Sequence, residues 1–277
     1  MDKILLRLDD DSYYREPHPK DAIFLHHSES FFRPDWLVKS WDRDKRDSTN
    51  KIRYGAAFVI GGQSPLDPKN QEWDGKVVQA FDPSSWSHSL SIKAKNNTFL
   101  NQKSISIEIC NLGPLDLNLE GNFFSSDKIL IPEDQVCELA VPFRGHKYFH
   151  KYSDKQLDSL KKLIVNLSEK FEIDLGRGLK KEILKSELQA PENISVEKLQ
   201  KWLNKNGFLD ERGEKLVENG IMDPKTKFAF DQIGKNPFSL NFQALNGASG
   251  LWSHSNVRMD VSDVFPQPEL IAMIKTL

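Results

Sequence analysis

Apolar and polar positions follow two different periods along this chain. Ala22–His27 reads AIFLHH, an apolar and β-prone run behind the turn-forming HPKD, and predicts a buried strand. A helix is expected around Asp35–Trp41, with Trp36, Leu37 and Trp41 as its apolar members. AAFVI at Ala56–Ile60, ended by Gly61 and Gly62, and KVVQAF at Lys76–Phe81 predict two more strands across the polar loop Gly61–Gly75. Ser104–Cys110, SISIEIC, alternates strictly: Ile105, Ile107 and Ile109 share one face, and Ser104, Ser106 and Glu108 the other. Glu108 therefore points away from the isoleucine face of its strand.

The period then becomes helical. Leu157, Leu160, Ile164, Leu167 and Phe171 form one stripe over Asp154–Phe171, and Ser153 with Gln156 has the spacing of a capping box. Core packing accounts for this helix. Residues Arg177 to Pro191 are charged and linker-like. Beyond them Ser195 is placed to cap a helix carrying Val196, Leu199 and Leu203 and ending near Gly207, and Asp223-Pro224 opens another that continues through Phe228, Ala229 and Ile233. A small helical module over 190–236 is expected. Ser239–Gln243 is expected to be extended, Leu251–His254 is a short apolar approach to a histidine, and Pro268 starts a last helix with Leu270, Ile271, Ile274 and Leu277 inward.

Composition narrows the function classes. A 38% hydrophobic fraction over 277 residues supports a real core. The net charge of −2, from 38 basic and 40 acidic residues, points away from nucleic acid. No apolar run approaches the roughly 20 residues of a membrane span. The N-terminal MDKILLRLDDDSYY lacks the basic start, long apolar run and small-residue cleavage site of a secretory signal. A chain made in the cytoplasm would then reach an external substrate by lysis, by a dedicated secretion machine, or after loss of a leader. Cys110 and Cys137 form no CxxC pair and are expected to be reduced and structural.

The local zinc signature HExxH is absent, so any catalytic metal must be gathered from residues far apart in sequence. His26 and His27 end a strand and point to opposite faces, so at most one of them serves a given site. His254 follows a second apolar segment, with Asp263 in the loop-like stretch beyond it, and His88 sits in the loop SSWSHSL. Taken singly, each histidine fits an ordinary structural or surface role.

Taken in order, these segments resemble the type 2 N-acetylmuramoyl-L-alanine amidase family, relatives of peptidoglycan recognition proteins and phage lysozyme-like amidases. The resemblance is carried by AIFLHHSES, AAFVIGG, GKVVQAFDPSSWSH, NQKSISIEIC and SHSNVRMDVSDVFPQPEL, over residues 20–176 and 238–277. It implies an α/β fold, a central mixed sheet with helices on both faces, which the strand–helix alternation agrees with. It also implies a single zinc held by His26, His254 and Asp263 in a cleft at the sheet's edge. Glu108 is then the proton-transferring carboxylate and His88 a substrate-side histidine. Trp86, Asn101 and Arg258 become substrate contacts. The implied reaction is hydrolysis of the amide between the lactyl group of N-acetylmuramic acid and L-alanine in peptidoglycan.

One position departs from the family pattern. Val261 stands two residues before Asp263, where the family carries Lys, Arg or Thr as an oxyanion donor, and the family's alternative tyrosine corresponds to Ala56. Arg258 and Tyr54 are the candidate substitutes. A wall-binding protein that keeps the zinc scaffold without vigorous catalysis is the second reading. The segment 190–236 separately resembles the peptidoglycan-binding three-helix repeat, through Leu199-Gln200, Gly207, Gly220, Asp223, Thr226 and Ala229.

Overall fold

The computed structural model describes residues 3–43, 53–67, 69, 71–93 and 95–277. Pro68 and Asn70 of the expected Gly61–Gly75 loop lie outside the described residues. In chain order the elements are β1 (Lys3–Leu5), β2 (Ala22–His27), α1 (Pro34–Arg43), β3 (Phe58–Ile60), β4 (Val77–Gln79), α2 (Asn97–Lys103) and β5 (Ser104–Ile109). The short strands β6 (Asp116–Leu117), β7 (Phe123–Phe124) and β8 (Leu130–Ile131) and the hairpin β9 (Val136–Phe143) and β10 (His146–His150) follow. Then come α3 (Asp154–Phe171), α4 (Leu179–Ser186), α5 (Val196–Lys205), α6 (Pro224–Phe230), α7 (Phe242–Leu245), β11 (Gly250–Ser253) and α8 (Pro268–Lys275).

Six strands make one mixed sheet in the order β1-β4-β3-β5-β2-β11, in which only β3 and β4 run antiparallel. The alternation of β5 decides what each face carries. Ile105, Ile107 and Ile109 join Ile23 and Leu25 against Leu160, Leu163, Ile164 and Leu167 of α3 and Leu270 and Ile274 of α8. The opposite face packs Ala22, Phe24 and Trp252 against Leu100 of α2 and Ala244 of α7. Helices thus cover both faces, as expected of a parallel-rich sheet.

The capping box at the head of α3 is formed as the sequence predicts, with Ser153 and Gln156 reciprocally bonded. Gln156 also donates through Nε2 to the Cys110 carbonyl at 2.8 Å, fixing the helix start to the end of β5. Both cysteines are free and buried.

The structure corrects two expectations. Arg177–Pro191 is not simply linker: it contains α4, whose Leu179 and Ile183 are buried in the main core. The charged residues around them obscured so short a stripe, and tertiary burial stabilises it. The N-cap of α4 is Gly178, whose backbone has φ +74° and passes so close to β11 that a Cβ would lie 2.0 Å from the Leu251 carbonyl oxygen. Ser239–Gln243 is not extended either. Asn241 accepts from the backbone N–H of Gln243 and Ala244 and caps α7. β1, α2 and the strands between β5 and α3 lie outside what the pattern predicted.

Within 190–236 the structure has two helices, α5 and α6. They share a separate small core of Leu199, Leu203, Phe208, Leu216 and Ala229. Gln200 is fully buried at its centre. Its Nε2 donates to Asn219 Oδ1, the Ile221 carbonyl and Thr226 Oγ1, and its Oε1 accepts from Gly220 N–H. Replacing Gln200 with alanine removes all four of these bonds from the module's centre and leaves the buried Thr226 hydroxyl without this partner, at about 1–3 kcal/mol. The expected outcome is early, separate unfolding of 190–236, seen as lost amide protection there in hydrogen-exchange mass spectrometry while α3 stays protected.

Candidate metal centre

The parallel register brings the first functional pair together. His26 of β2 lies directly opposite Glu108 of β5, so both side chains stand on the same face at the C-terminal ends of neighbouring strands. On the other side β11 keeps step with β2 as far as its last residue, Ser253↔Leu25, and His254 follows directly. The crevice beyond the carboxyl ends of parallel strands is where open α/β sheets place their ligands. His27 points to the other face, where its Nδ1 lies 2.7 Å from Tyr152 Oη.

Asp263 arrives from a loop folded back on itself. His254 opens a short 3-10 turn, and the Ser255 N–H donates to the Asp263 carbonyl at 2.7 Å. Beyond Asp263, Phe265 stacks between Phe149 and Tyr152 at centroid distances of 4.3 and 4.5 Å. Tyr152 in turn exchanges two backbone bonds with the buried amide of Gln267. The carboxylate is therefore held by packing on both sides.

The three side chains are buried, and their ligand atoms lie within 4.8 Å of one another. Asp263 Oδ2 is 2.8 Å from His254 Nδ1 and 3.5 Å from His26 Nδ1, and the two rings are 4.4 Å apart. Neighbouring donors around a tetrahedral zinc with bonds of about 2.05 Å stand roughly 3.3 Å apart, so the set fits. The tautomers agree. His254 Nε2 donates to the Leu90 carbonyl at 2.9 Å, so in the neutral ring Nδ1 is a lone pair facing a carboxylate oxygen. Two electron-rich atoms at 2.8 Å require a cation between them, either a proton or a metal ion.

The electrostatics express the same demand. Burial alone would lower the His254 pKa, but the Asp263 charge and hydrogen bond outweigh it and raise it. Burial would raise Asp263, yet the imidazoles hold it well below the usual carboxylate range. His26 is pushed down to about 4, mainly by burial and by His254 beside it, and its Nε2 has no hydrogen-bond partner. Glu108 is driven well above the ordinary range by burial and by the charges of Asp263 and Glu29. Two imidazoles and a carboxylate, underpaired and buried, suit a divalent ion of borderline softness.

These residues floor a cleft of about 840 Å³. Its walls carry Trp36, Lys39 and Ser40 from α1, with Tyr54, Arg258 and Val261 opposite the floor residues of the sheet. Arg258 is clamped by Asp260 through Nε and Nη2, at 2.9 and 2.6 Å.

The remaining expected contacts do not line this cleft. Trp86 is buried and covered by the N-terminal segment: Tyr14 stacks on it at 3.9 Å and Glu16 takes its indole N–H. His88 stands in the same aromatic group, with Nε2 3.4 Å from Tyr14 Oη. Asn101 is 2% exposed and fully engaged inside the protein. Its Oδ1 accepts from Leu90 N–H, and the Leu90 carbonyl receives His254, so Asn101 supports His254 at one remove. No side-chain pattern signals the Leu90 carbonyl, because the group is backbone. Glu29, which no sequence motif marks, also lines the cleft.

No protein-family model and no curated protein matches the chain. Solved structures similar to it include PlyL, 11% identical over 63% of this chain and 77% of that one, with a TM-score of 0.36. The N-acetylmuramoyl-L-alanine amidase LysC from Clostridium intestinale is 11% identical over 62% of this chain and 78% of its own, with a TM-score of 0.31. Drosophila PGRP-LB is 15% identical over 95% of this chain and 83% of its own, with a TM-score of 0.33. At these identities and scores, function rests on the residues of the cleft.

Proposed function

We propose that this chain is a zinc-dependent amidase of peptidoglycan that hydrolyses the amide between the lactyl group of N-acetylmuramic acid and L-alanine. The observation that carries this is the convergence of His26, His254 and Asp263 beside Glu108 on the floor of one cleft. His26, His254 and Asp263 would hold a zinc ion, which would supply Lewis acidity toward the scissile carbonyl and the attacking water. Glu108 takes the proton of the attacking water and delivers it to the leaving nitrogen as the C–N bond breaks. The Leu90 carbonyl accepts from His254 Nε2 and so orients the ring with Nδ1 toward the ion position. Arg258, held by Asp260 on the cleft wall, offers positive charge to the developing oxyanion where Val261 offers none. The separate core of 190–236 suits a module that keeps the enzyme on the wall and raises local substrate concentration.

Digestion of purified peptidoglycan by the zinc-loaded chain, followed by mass spectrometry, is expected to give new L-alanine amino termini. Their absence with zinc demonstrably bound would overturn the assignment. Val261, which lines the cleft with an apolar side chain, favours one second reading, a wall-binding protein that turns over slowly. Restoring a donor with Val261→Lys is then expected to raise kcat, by up to the 10²–10³-fold typical of one oxyanion donor, at unchanged zinc content. An unchanged kcat would mean that Arg258 already supplies the charge.

A further inference from the structure

The loop between β4 and α2 is gripped at every second residue. Trp86 exchanges both backbone bonds with Tyr14, and His88 N–H donates to the Arg53 carbonyl at 2.8 Å. Leu90 N–H donates to Asn101 Oδ1 at 3.1 Å, and Ile92 N–H to Asn97 Oδ1 at 2.9 Å. Asn97 and Asn101 stand one turn apart on α2, so their side chains leave the same face of the helix. They are also joined to each other. Asn101 Nδ2 donates to the Asn97 carbonyl at 2.8 Å and to Asn97 Oδ1 at 3.0 Å. Asn101 therefore spends its donors on the helix and its acceptor on the loop, which fixes the direction of its amide.

Between these two grips lies the Leu90 carbonyl, which accepts from His254 Nε2 at 2.9 Å. Leu90, Asn101 and His254 are all buried. A buried carbonyl held on both sides dictates which ring nitrogen carries the proton. With the proton on Nε2, Nδ1 keeps its lone pair and faces Asp263 Oδ2 at 2.8 Å. A neutral ring in the other tautomer would leave the Leu90 carbonyl unpaired and offer no lone pair at Nδ1. The buried hydroxyls of Ser89 and Ser106 bond to each other in the same polar layer, and Ser89 Oγ also donates to Asn101 Oδ1 at 3.2 Å. Neither hydroxyl holds the Leu90 amide.

We propose that Asn97 and Asn101 are positioning residues for the metal centre: they set the Leu90 carbonyl, which keeps His254 in the Nε2–H form with Nδ1 free for the ion. This rests on the metal reading above. It assigns residues 86–92 to shaping a ligand rather than to touching substrate.

The test combines zinc affinity of the full chain, by chelator competition, with solvent exchange of the His254 Nε2 proton, by NMR of the metal-free chain. Asn101→Ala is expected to weaken zinc binding by about 10–100-fold, the usual cost of losing an outer-shell partner, and to speed exchange of the Nε2 proton. Asn97→Ala, which spares the Leu90 bond, should move both readouts the same way by less. Ser106→Ala removes a buried bond of the same layer and should move neither. A folded Asn101→Ala with native zinc affinity and native exchange overturns the proposal. So does a Ser106→Ala loss as large as that of Asn101→Ala, which would make the effect one of general packing. If Asn101→Ala does not fold, Asn97→Ala decides by the same two readouts. A native Nε2 proton that exchanges as fast as that of an exposed histidine overturns the positioning role alone, whereas a native chain that binds no zinc overturns the metal reading and this role with it.

Discussion

Replacing His26 with alanine is expected to remove metal binding and amide hydrolysis together while leaving the fold intact. His26 provides one of three buried donors, and the two that remain cannot hold zinc in competition with water and buffer. Loss of an outer-shell partner commonly costs 10–100-fold in metal affinity, and loss of a ligand should cost more. The fold should survive because the imidazole is buried with its Nε2 unpartnered, so its removal breaks no hydrogen bond of that atom. His27→Ala is the matched control on the other face of β2. It removes the contact to Tyr152 Oη and should lower stability while one zinc per chain remains. Zinc content after dialysis, with urea unfolding of the metal-free proteins, separates the two. A His26→Ala protein that keeps stoichiometric zinc would mean the ligand set is misassigned.

Glu108→Gln is expected to lower kcat by about 10²–10⁴-fold, the usual worth of a positioned acid–base group, with zinc still bound. The amide preserves the size and burial of the side chain but neither accepts nor returns a proton. In the metal-free protein, burial and the charges of Asp263 and Glu29 favour the protonated carboxyl. A divalent cation among His26, His254 and Asp263 opposes that effect and draws Glu108 toward the carboxylate that catalysis needs. The sign follows: activity should fall as pH drops through the Glu108 pKa of the loaded enzyme, and this acid limb should vanish in Glu108→Gln. A variant with native kcat and an unchanged pH profile would leave Glu108 as a buried structural carboxylate.

Much of this centre is legible in the sequence because a strand converts spacing directly into direction. SISIEIC shows that Glu108 opposes the isoleucine face, and the same alternation separates His26 from His27. What alternation cannot give is register between strands, and it is register that sets His26 opposite Glu108 and brings His254, just past β11, beside them. His26 as the ligand and its link to Asp263 rest on the resemblance, and the structure brings those residues together. Trp86 and Asn101 were harder for a different reason. The N-terminal segment covers Trp86, and Asn101 turns inward to hold Leu90. Long-range packing decided both. The helix α4 escaped notice because two buried apolar residues among lysines and glutamates are too few to mark a stripe.

The convergence of His26, His254 and Asp263 on one ion is tested most directly by anomalous scattering at the zinc edge from crystals of the zinc-loaded chain. The expected result is a single strong peak per chain, about 2.0–2.2 Å from His26 Nδ1, His254 Nδ1 and Asp263 Oδ2. A peak held by other residues, or none at this position with zinc in excess, would contradict the account.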